Sequence, residues 1–361
     1  MKAKAKVILR CVVFFLIVFA ILVVLSDLFE GVNNYNYDKR FYTYRTFPRG
    51  TVDAVFIGTS AADRFWSPAR AYVRNGHIVY PLSSDAMPGW LYTDVVEEAL
   101  AHQDPELFLF DIRGFLQNNT KASVMDARAR RYLNSLDFFS INRIKTSFKT
   151  ARIINSINDP DYDEWGLSYI FPFIKYHSIW SEDDYSFDNH IGNKTQNYGG
   201  FYINKTLTFQ VEPQKPVEYP EGLIHELDPI SEDALYELID YIKEKDLKAL
   251  FVVTPKFFSD LEMGRVYKIL SILNDHELDY VTFEMSDDEY ELAVDLDPKN
   301  DFYDEGHVNY KGAKKFTDVF SAYLDKYYDL PDRSNDPEVK EIWDGVNKRL
   351  NNWLEKNDKK K

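Results

Sequence analysis

Cysteine is almost absent from this 361-residue chain, whose one thiol belongs to Cys11 in an apolar run near the N-terminus. The rest of the chain therefore has no disulfide and no thiol nucleophile. Apolar residues make up 45% of the sequence, which is enough for a core that does not depend on covalent cross-links. The shortage of cysteine excludes a small disulfide-stapled scaffold and a cysteine hydrolase.

Basic residues are also scarce, with 43 lysines and arginines against 58 aspartates and glutamates, a net charge of −15. Four basic residues lie within the first ten positions: Lys2, Lys4, Lys6 and Arg10. Beyond residue 26 the count is therefore 39 basic against 58 acidic residues, a net charge of −19. A surface of this sign disfavours nucleic acid as a partner and does not steer polyanions towards the domain.

Metal-binding and phosphate-binding patterns are missing as well. No spacing of histidines, cysteines or glutamates is typical of a metal site. The turn GTSAAD, which follows the first apolar run after residue 50, lacks the Gly-x-x-x-x-Gly-Lys spacing of a phosphate-binding loop. The sequence therefore predicts neither a metal nor a cofactor.

One long hydrophobic run is present, Val7–Leu25, and lysines precede it. A cleaved signal peptide would need a small-x-small site after this run, where the sequence is SDLFEGVNNYNYD. We therefore expect a retained single-pass anchor over 7–26, with a cytoplasmic tail over 1–6 and the rest of the chain outside the cell. Residues 27–50, rich in Tyr and Asn, are predicted to form a stalk.

Strands and helices alternate from residue 52 onwards, which predicts an α/β domain. Apolar runs of strand length are separated by stretches with helical periodicity; the runs are AVFIG, HIVYPL, ELFLFDI, KALFVVTP and DYVTFE. This alternation is typical of a mainly parallel sheet with right-handed crossovers. Residues 117–225, rich in Tyr, Phe, Asn and Asp, interrupt it and are predicted to form a long insertion.

The C-terminal segment, residues 329–361, is predicted to form an amphipathic helix. Asp336-Pro337 is typical of a helix start, with an N-cap followed by proline at the first helical position. Apolar residues then recur on one helical face: Val339, Ile342, Trp343, Val346, Leu350, Trp353 and Leu354. This face packs either against the domain or against a partner or a membrane surface.

The first candidate for chemistry is the turn Gly58-Thr59-Ser60, which ends the apolar run Val52–Ile57. In open α/β sheets, ligands bind at the carboxyl ends of the strands. The turn therefore either caps the helix that follows or presents Ser60 as a nucleophile at that end of the sheet.

The second candidate is the segment Asp304-Glu305-Gly306-His307, just before an apolar helix. A carboxylate three residues before an imidazole can accept a hydrogen bond from one ring nitrogen, which fixes the tautomer and the orientation of the ring. The other nitrogen is then free to take a proton from a serine hydroxyl. The alternative is a helix-capping aspartate beside a surface histidine.

Together, the two motifs resemble those of the SGNH (GDSL-like) hydrolase superfamily. There, a Gly-Asp-Ser-type turn after the first strand carries the nucleophile, and a late Asp-x-x-His supplies the other two triad members. Thr59, at the place of the usual Asp, resembles the variant found in the cell-surface branch of this superfamily, the DltD-like and alginate O-acetylation-like proteins. Three further segments resemble that branch: PELFLFDIRGF, FPFIKYHSIW and the ending His307-Val308-Asn309 with Gly312. The resemblance spans roughly 51–328 and implies a three-layer α/β/α sandwich.

The resemblance also implies an oxyanion hole, where this chain departs from the family pattern. The third block of the family has an Asn that helps to hold the oxyanion, whereas the comparable segment here, FDIRG, offers none. The N–H of Ser60 and one from Ser84 or Asp85 are expected to be the donors, since backbone N–H groups suffice. Arg113 either adds positive charge there or pairs with Asp111.

By this resemblance, the chain is predicted to be an anchored, extracytoplasmic serine esterase or O-acyltransferase of a bacterial cell envelope. Ser60 attacks an acyl carbonyl, His307 transfers the proton, and Asp304 orients His307. The acceptor is water or a hydroxyl of a surface polysaccharide or teichoic-acid-like glycopolymer. The resemblance implies a membrane-bound O-acyltransferase as the supplier of acyl groups.

Two alternatives stay open at the level of sequence. His177, in the aromatic-rich stretch FPFIKYHSIW, has either a structural role or lines a substrate channel. The whole domain is either an enzyme or a catalytically weak binding or scaffold module for envelope assembly. The missing Asn donor favours the module, and the intact set of Ser60, Asp304 and His307 favours the enzyme.

Overall fold

The computed structural model describes two compact units, each assembled from two separate stretches of the chain. The first unit takes Met1–Asp38 and Lys121–Thr195, and the second takes Lys39–Thr120 and Gln196–Lys361. The predicted insertion at 117–225 therefore contributes residues to both units. The residues that the structure describes are 2–30, 37–178, 198–203, 219–283 and 292–358.

The described part of the second unit contains seven strands: β1 (Ala54–Gly58), β2 (Val79–Ser83), β3 (Leu107–Asp111), β4 (Ala249–Val253), β5 (Tyr280–Thr282), β6 (Phe302–Asp304) and β7 (His307–Val308). The first five form one parallel sheet in the order β2-β1-β3-β4-β5, and β6 pairs with β7 as a short antiparallel hairpin. Every residue of β1, β2 and β3 is buried, as expected for parallel strands covered on both faces. The predicted α/β class with a parallel sheet is confirmed.

The helices in chain order are α1 (Lys2–Glu30), α2 (Tyr37–Thr46), α3 (Ser60–Phe65), α4 (Pro68–Asn75), α5 (Tyr92–His102), α6 (Ala122–Leu133), α7 (Ile141–Ser156), α8 (Gly166–Ile170), α9 (Phe173–Tyr176), α10 (Pro229–Glu244), α11 (Asp260–Asp275), α12 (Tyr310–Tyr327) and α13 (Pro337–Asp358). Local capping sets several of these boundaries. Asp228 caps α10 through the N–H of Ile230, and Ser259 forms a capping box with Glu262 at the start of α11.

The helical stretch after β1, which the sequence presents as one segment, is divided into α3 and α4. Pro68 occupies the first turn of α4, a position that proline favours, and the chain is extended just before it. Gly76 ends α4 in the left-handed conformation, with φ of 75°, and its N–H donates to the carbonyl of Tyr72. The short α3 therefore carries Ser60 at one end and stops within two turns.

The structure differs from the prediction of a stalk over 27–50. Residues Tyr37–Thr46 form α2, and the side chains of Phe41, Tyr44 and Phe47 are buried. The Tyr44 hydroxyl donates to the carbonyl of Ala99, so this segment is anchored to α5. Aromatic residues that the composition alone presents as a connector are thus core residues of the second unit.

Helix α13 packs against the second unit through Trp343, which is fully buried. Its ring lies 5.7 Å from the ring of Phe47 and 5.7 Å from that of Tyr72, with both pairs stacked at 26°. Val339, Val346 and Leu350 are buried on the same helix. Trp353 is only partly covered.

The first unit contains α1 and the helices α6 to α9. Residues Lys4–Ser26 of α1 are long and apolar enough to cross a membrane. A buried polar cluster ties the other helices together: Arg130 pairs with Asp126 at 3.0 Å and with Glu164 at 3.2 Å. Trp180, in the aromatic stretch singled out above, lies outside the described residues.

Candidate active site

The turn at the end of β1 is fixed by Asp111, the last residue of the neighbouring strand β3. One oxygen of this carboxylate accepts hydrogen bonds from the N–H of Thr59 at 3.1 Å and from its hydroxyl at 2.5 Å. A Cβ atom on Gly58 would fall 2.4 Å from the Cβ of Asp111, so only glycine allows this approach. Thr59 also caps α3 by accepting from the N–H of Ala61. The turn thus caps the helix and places Ser60 as its first residue.

Ser60 and His307 meet across the site. The Oγ atom of Ser60 lies 2.7 Å from Nε2 of His307, and Nδ1 of His307 lies 2.9 Å from both carboxylate oxygens of Asp304. A carboxylate only accepts, so Nδ1 carries the proton, and Nε2 accepts the hydrogen bond that Ser60 donates. These three predicted site residues therefore form one hydrogen-bonded chain.

The spacing of Asp304 and His307 is realised on the β6–β7 hairpin rather than within a helical turn. Asp304 ends β6, His307 begins β7, and the N–H of Gly306 donates to the Asp304 carboxylate at 2.8 Å. Tyr303 stacks on the imidazole, with ring centroids 5.5 Å apart and an angle of 11° between the planes. The hairpin thus fixes both the carboxylate and the ring plane.

The electrostatic environment keeps His307 neutral. Burial lowers the pKa of His307, and the positive charges of Arg64 and Arg113 lower it further, against the opposing hydrogen bond to Asp304. Burial opposes ionisation of Asp304. Hydrogen bonds from His307 and Gly306, with the positive charge of Arg64, outweigh burial and lower the pKa of Asp304. At neutral pH the pair is therefore an uncharged imidazole beside a carboxylate, the state that a general base needs.

Arg64 adds a positive charge next to this chain of hydrogen bonds. It lies on α3, four residues after Ser60, and its guanidinium donates to the hydroxyl of Tyr303. The same guanidinium donates to Asp85 at 3.1 Å and lies 4.8 Å from the ring centroid of Tyr202. Tyr303 and the bridging role of Arg64 were missed by sequence reasoning; only the helical spacing of Arg64 from Ser60 gave a signal.

The neighbouring acid, Asp63, lies beside this network, with its Oδ1 atom 3.9 Å from Nε of Arg64. It is buried, with its carboxylate 2.9 Å from the guanidinium of Arg40 and hydrogen-bonded to the hydroxyl of Ser83 at 2.8 Å. Burial raises the pKa of Asp63 to about 6. Its first-turn position on α3 suits the helix dipole, and its partners Arg40 and Ser83 come from α2 and β2.

Two predicted oxyanion donors are already engaged. The N–H of Ser84 donates to the carbonyl of Gly58 at 3.3 Å. The guanidinium of Arg113 donates to the carbonyl oxygens of Gly306 at 2.6 Å, Pro255 at 2.7 Å and Thr254 at 3.3 Å. The Arg113 side chain is therefore bound to backbone carbonyl oxygens and makes no hydrogen bond to Asp111, whose carboxylate instead accepts from the backbone N–H of Arg113.

The loop after β2, which carries Asp85, is held in an unusual conformation. Ala86 has φ of 51°, a left-handed conformation that a non-glycine residue adopts at a cost of about 1–3 kcal/mol. The side-chain amide of Gln117 donates to the carbonyls of Ala86 and Met87, both at 3.1 Å. These bonds stabilise the loop, and the contact between Asp85 and Arg64 places it beside α3, the helix that begins at Ser60.

His177 belongs to a different unit of the chain from the hydrogen-bonded residues Ser60, His307 and Asp304. It follows α9 in the first unit, whereas Ser60, Asp304 and His307 belong to the second. The ring is exposed, and its Nδ1 donates to the carbonyl of Ile174 at 2.9 Å. This contact is a local one within its own short helix.

The chain matches no family model. No curated protein is similar to it. What the site can do is therefore argued from the residues and their geometry.

Proposed function

We propose that the chain is a membrane-anchored, extracytoplasmic serine esterase or O-acyltransferase of the SGNH type. The observation that carries the proposal is the hydrogen-bonded chain from Ser60 Oγ through His307 to Asp304. A serine hydroxyl 2.7 Å from a neutral imidazole that is oriented by a carboxylate is the arrangement of an activated nucleophile. Its place at the carboxyl end of β1 in a parallel sheet supports the same proposal.

In the first half of the reaction, Ser60 Oγ bonds to the carbonyl carbon of an acyl ester while His307 Nε2 takes the hydroxyl proton. The tetrahedral intermediate collapses, the bond from the acyl carbon to the donor alcohol breaks, and the imidazolium protonates the leaving oxygen. In the second half, an acceptor hydroxyl gives its proton to His307 and attacks the acyl-serine. Ser60 leaves with that proton, and the acyl group is transferred.

The cellular setting of the proposal comes from α1. A segment over Lys4–Ser26 that can cross a membrane, with lysines before it, supports an anchor whose N-terminus is cytoplasmic. An anchored catalytic domain stays close to a lipid-linked acyl donor or a membrane-bound O-acyltransferase. We therefore propose cell-envelope polysaccharide or teichoic-acid-like polymer as the acyl acceptor or substrate.

A binding or scaffold module for envelope assembly is the second candidate. The observation that favours it is the engagement of the Ser84 N–H and the Arg113 guanidinium in structural hydrogen bonds, which leaves fewer donors for an oxyanion. Stabilisation of the oxyanion contributes about 3–4 kcal/mol per donor in serine hydrolases. A chain with one donor fewer would be a slow enzyme.

Covalent labelling decides between the two. The full-length protein is treated with a fluorophosphonate and digested, and the modified peptide is identified by mass spectrometry. We expect a single adduct on Ser60 and no adduct in Ser60→Ala, with Ser84→Ala labelled at the wild-type rate. A folded wild-type protein that acquires no adduct on Ser60 supports the module instead.

A second assay separates hydrolysis from transfer. We expect slow hydrolysis of a soluble acyl ester and an increase in product when a polysaccharide acceptor is added, with the acyl group recovered on the sugar. Water and a sugar hydroxyl compete for the same acyl-serine, so the product ratio reports which one the site admits. Fast hydrolysis without acylated sugar, over a range of acceptors, identifies a plain esterase.

A further inference from the structure

Helix α7 of the first unit has an outward side that is unusually apolar for a water-facing helix. Its buried residues are Arg143, Thr146, Ser147, Thr150, Ala151 and Ile154. Its exposed large apolar residues are Ile141, Ile144 and Phe148. Four of the six buried side chains are thus polar, while branched and aromatic side chains face outward along the i, i+3, i+7 positions of one stripe.

Two exposed aromatic residues outside α7 extend this apolar stripe. Phe139, two residues before α7, is 71% exposed. Trp165, just before α8, is 65% exposed, and a Cβ on the adjacent Gly166 would fall 2.6 Å from the ring of Phe148. We call Phe139, Ile141, Ile144, Phe148 and Trp165 the outer apolar face.

The outer apolar face begins at a contact with α1. The ring of Phe19 lies 6.5 Å from that of Phe138 and 6.2 Å from that of Phe139, at the corner between α6 and α7. Phe19 precedes Ser26, the end of the apolar segment of α1, by seven residues, which is about 10 Å along a helix. If Lys4–Ser26 crosses a membrane, the corner lies at this depth below its surface.

The segment that forms α6 and α7 has a net charge opposite in sign to that of the whole chain. Residues 121–156 contain eight lysines and arginines and two aspartates, a net charge of +6 in a chain of −15. Lys145 and Arg152 are exposed on α7 beside the apolar stripe. Asp137 is the one exposed acidic side chain within 121–156, whereas Asp161 and Asp163, which precede Trp165, are also exposed. Basic residues that flank an apolar face are typical of helices that lie on anionic lipid.

We propose that the outer apolar face is a second membrane-contacting surface, which inserts into the leaflet that holds the C-terminal end of α1. The α6–α7 corner enters the acyl region, and Trp165 lies at the level of the headgroups, where tryptophan is enriched. Lys145 and Arg152 pair with anionic lipid phosphates. This proposal rests on the membrane anchor of the proposed function. The first unit would then contact the membrane twice, through α1, which spans it, and through the outer apolar face, which enters one leaflet.

Site-directed spin labelling in lipid nanodiscs tests the proposal on the full-length chain. Cys11 is the only native thiol, so Cys11→Ser provides a background for single cysteines at Phe139 and Ile144. Leu261 on α11 is the matched control, because it is 45% exposed and Ile144 is 44% exposed. We expect labels at 139 and 144 to collide with oxygen and to exclude a water-soluble nickel chelate, and the label at 261 to show the reverse.

Labels at 139 and 144 that are as accessible to nickel as the label at 261 overturn the proposal. So does shielding from both oxygen and nickel, which would indicate protein–protein contact in place of lipid. Apart from its scaffold protein, the nanodisc contains only lipid and this protein, so a surface meant for another partner protein would stay open to water there.

The native Cys11, labelled in the wild-type chain, reports on the anchor alone. A lipid-exposed label at Cys11 together with water-exposed labels at 139 and 144 leaves the anchor intact and removes this proposal. A water-exposed label at Cys11 removes both. Neither result bears on the chemistry of Ser60, which the fluorophosphonate assay measures separately.

Lipid composition tests the role of the basic residues. We expect the label at 139 to lie deeper in nanodiscs that contain phosphatidylglycerol than in phosphatidylcholine alone. The double variant Lys145→Glu/Arg152→Glu should lose this difference, whereas Lys340→Glu, an exposed lysine of α13, should keep it. An equal depth in both lipids for the wild-type protein contradicts the electrostatic part of the proposal.

Discussion

The guanidinium of Arg113 donates a hydrogen bond to the carbonyl oxygen of Gly306 over 2.6 Å. Gly306 lies between Asp304 and His307 in the β6–β7 hairpin, and Arg113 follows β3 directly. The same side chain binds the carbonyls of Thr254 and Pro255 in the loop after β4. One half-buried arginine, just after the central strand of the sheet, thus positions the hairpin that carries the proposed base.

We expect Arg113→Lys to lower kcat by about 10²-fold, because a shift of about 1 Å at a catalytic group has an effect of this size. A lysine ammonium cannot bind three carbonyl oxygens in one plane, so the hairpin should also lose about 1–3 kcal/mol of stability. Arg265→Lys is the control, since Arg265 also binds carbonyl oxygens, those of Leu116 and Glu226, but away from the hairpin. Steady-state kinetics that do not distinguish the two variants would show that Arg113 has no positioning role.

The three residues of the hydrogen-bonded chain should behave as one unit. Ser60→Ala and His307→Ala are each expected to lower kcat by about 10⁴–10⁶-fold, and the double variant should be little worse. Asp304→Asn should cost less but remain severe, because it favours the wrong tautomer of His307. Ser84→Ala is the control, since its buried hydroxyl has no hydrogen-bond partner among the described residues. Retention of more than about a tenth of the activity in Ser60→Ala would refute the assignment.

The pH profile should report on Arg64. Asp304, Arg64, Arg113 and Tyr303 are the titratable groups that face His307, and the two arginines lower the pKa of His307. Removing one positive charge favours the imidazolium, so Arg64→Gln should raise the pKa of His307. Because only the neutral ring accepts the serine proton, the acidic limb of the kcat/KM profile should move to higher pH. Arg70→Gln, which removes an arginine paired with Asp318, should leave the limb in place.

Mutations in α13 test whether its apolar face packs against the domain or docks on a partner or a membrane. Trp343 is fully buried between Phe47 and Tyr72, so Trp343→Ala should destabilise the protein by about 3–5 kcal/mol. Trp353, on the same helix but only partly covered, is the matched control, and its replacement by alanine should cost far less. Chemical denaturation measures both variants. An equal loss for the two would mean that α13 does not contribute its tryptophan to the core.

Local sequence patterns were sufficient for much of the fold and for part of the site. The five apolar runs correspond to the five strands of the parallel sheet, and those of β1, β2 and β3 contain few polar residues because every residue of these strands is buried. Gly58-Thr59-Ser60 and Asp304-x-x-His307 are each contiguous, so their residue types and spacing carry the signal. The hydrogen bonds among Ser60, His307 and Asp304 agree with that spacing, while their catalytic role stays a prediction.

Long-range partners could not be read from the sequence. Arg113 and Gly306 lie 193 positions apart, and Arg64 and Tyr303 lie 239 apart, so no local pattern connects them. The engagement of the Ser84 N–H by Gly58 likewise depends on the pairing of β1 with β2. Composition alone predicts a stalk over 27–50, because it does not reveal that Tyr44 reaches Ala99.

The separation of Ser60 from His307 along the chain has a consequence for biogenesis. The two residues are 247 positions apart. Strand β3 pairs with β4, which the ribosome synthesises only after residues 121–195 of the first unit. At about 5–20 residues per second, the ribosome needs about 12–50 s to synthesise the intervening chain. A chain that emerges N-terminus first thus exposes its serine long before it has a base. Prematurely terminated products would be chemically inert, and activity would appear only once nearly the whole chain is present.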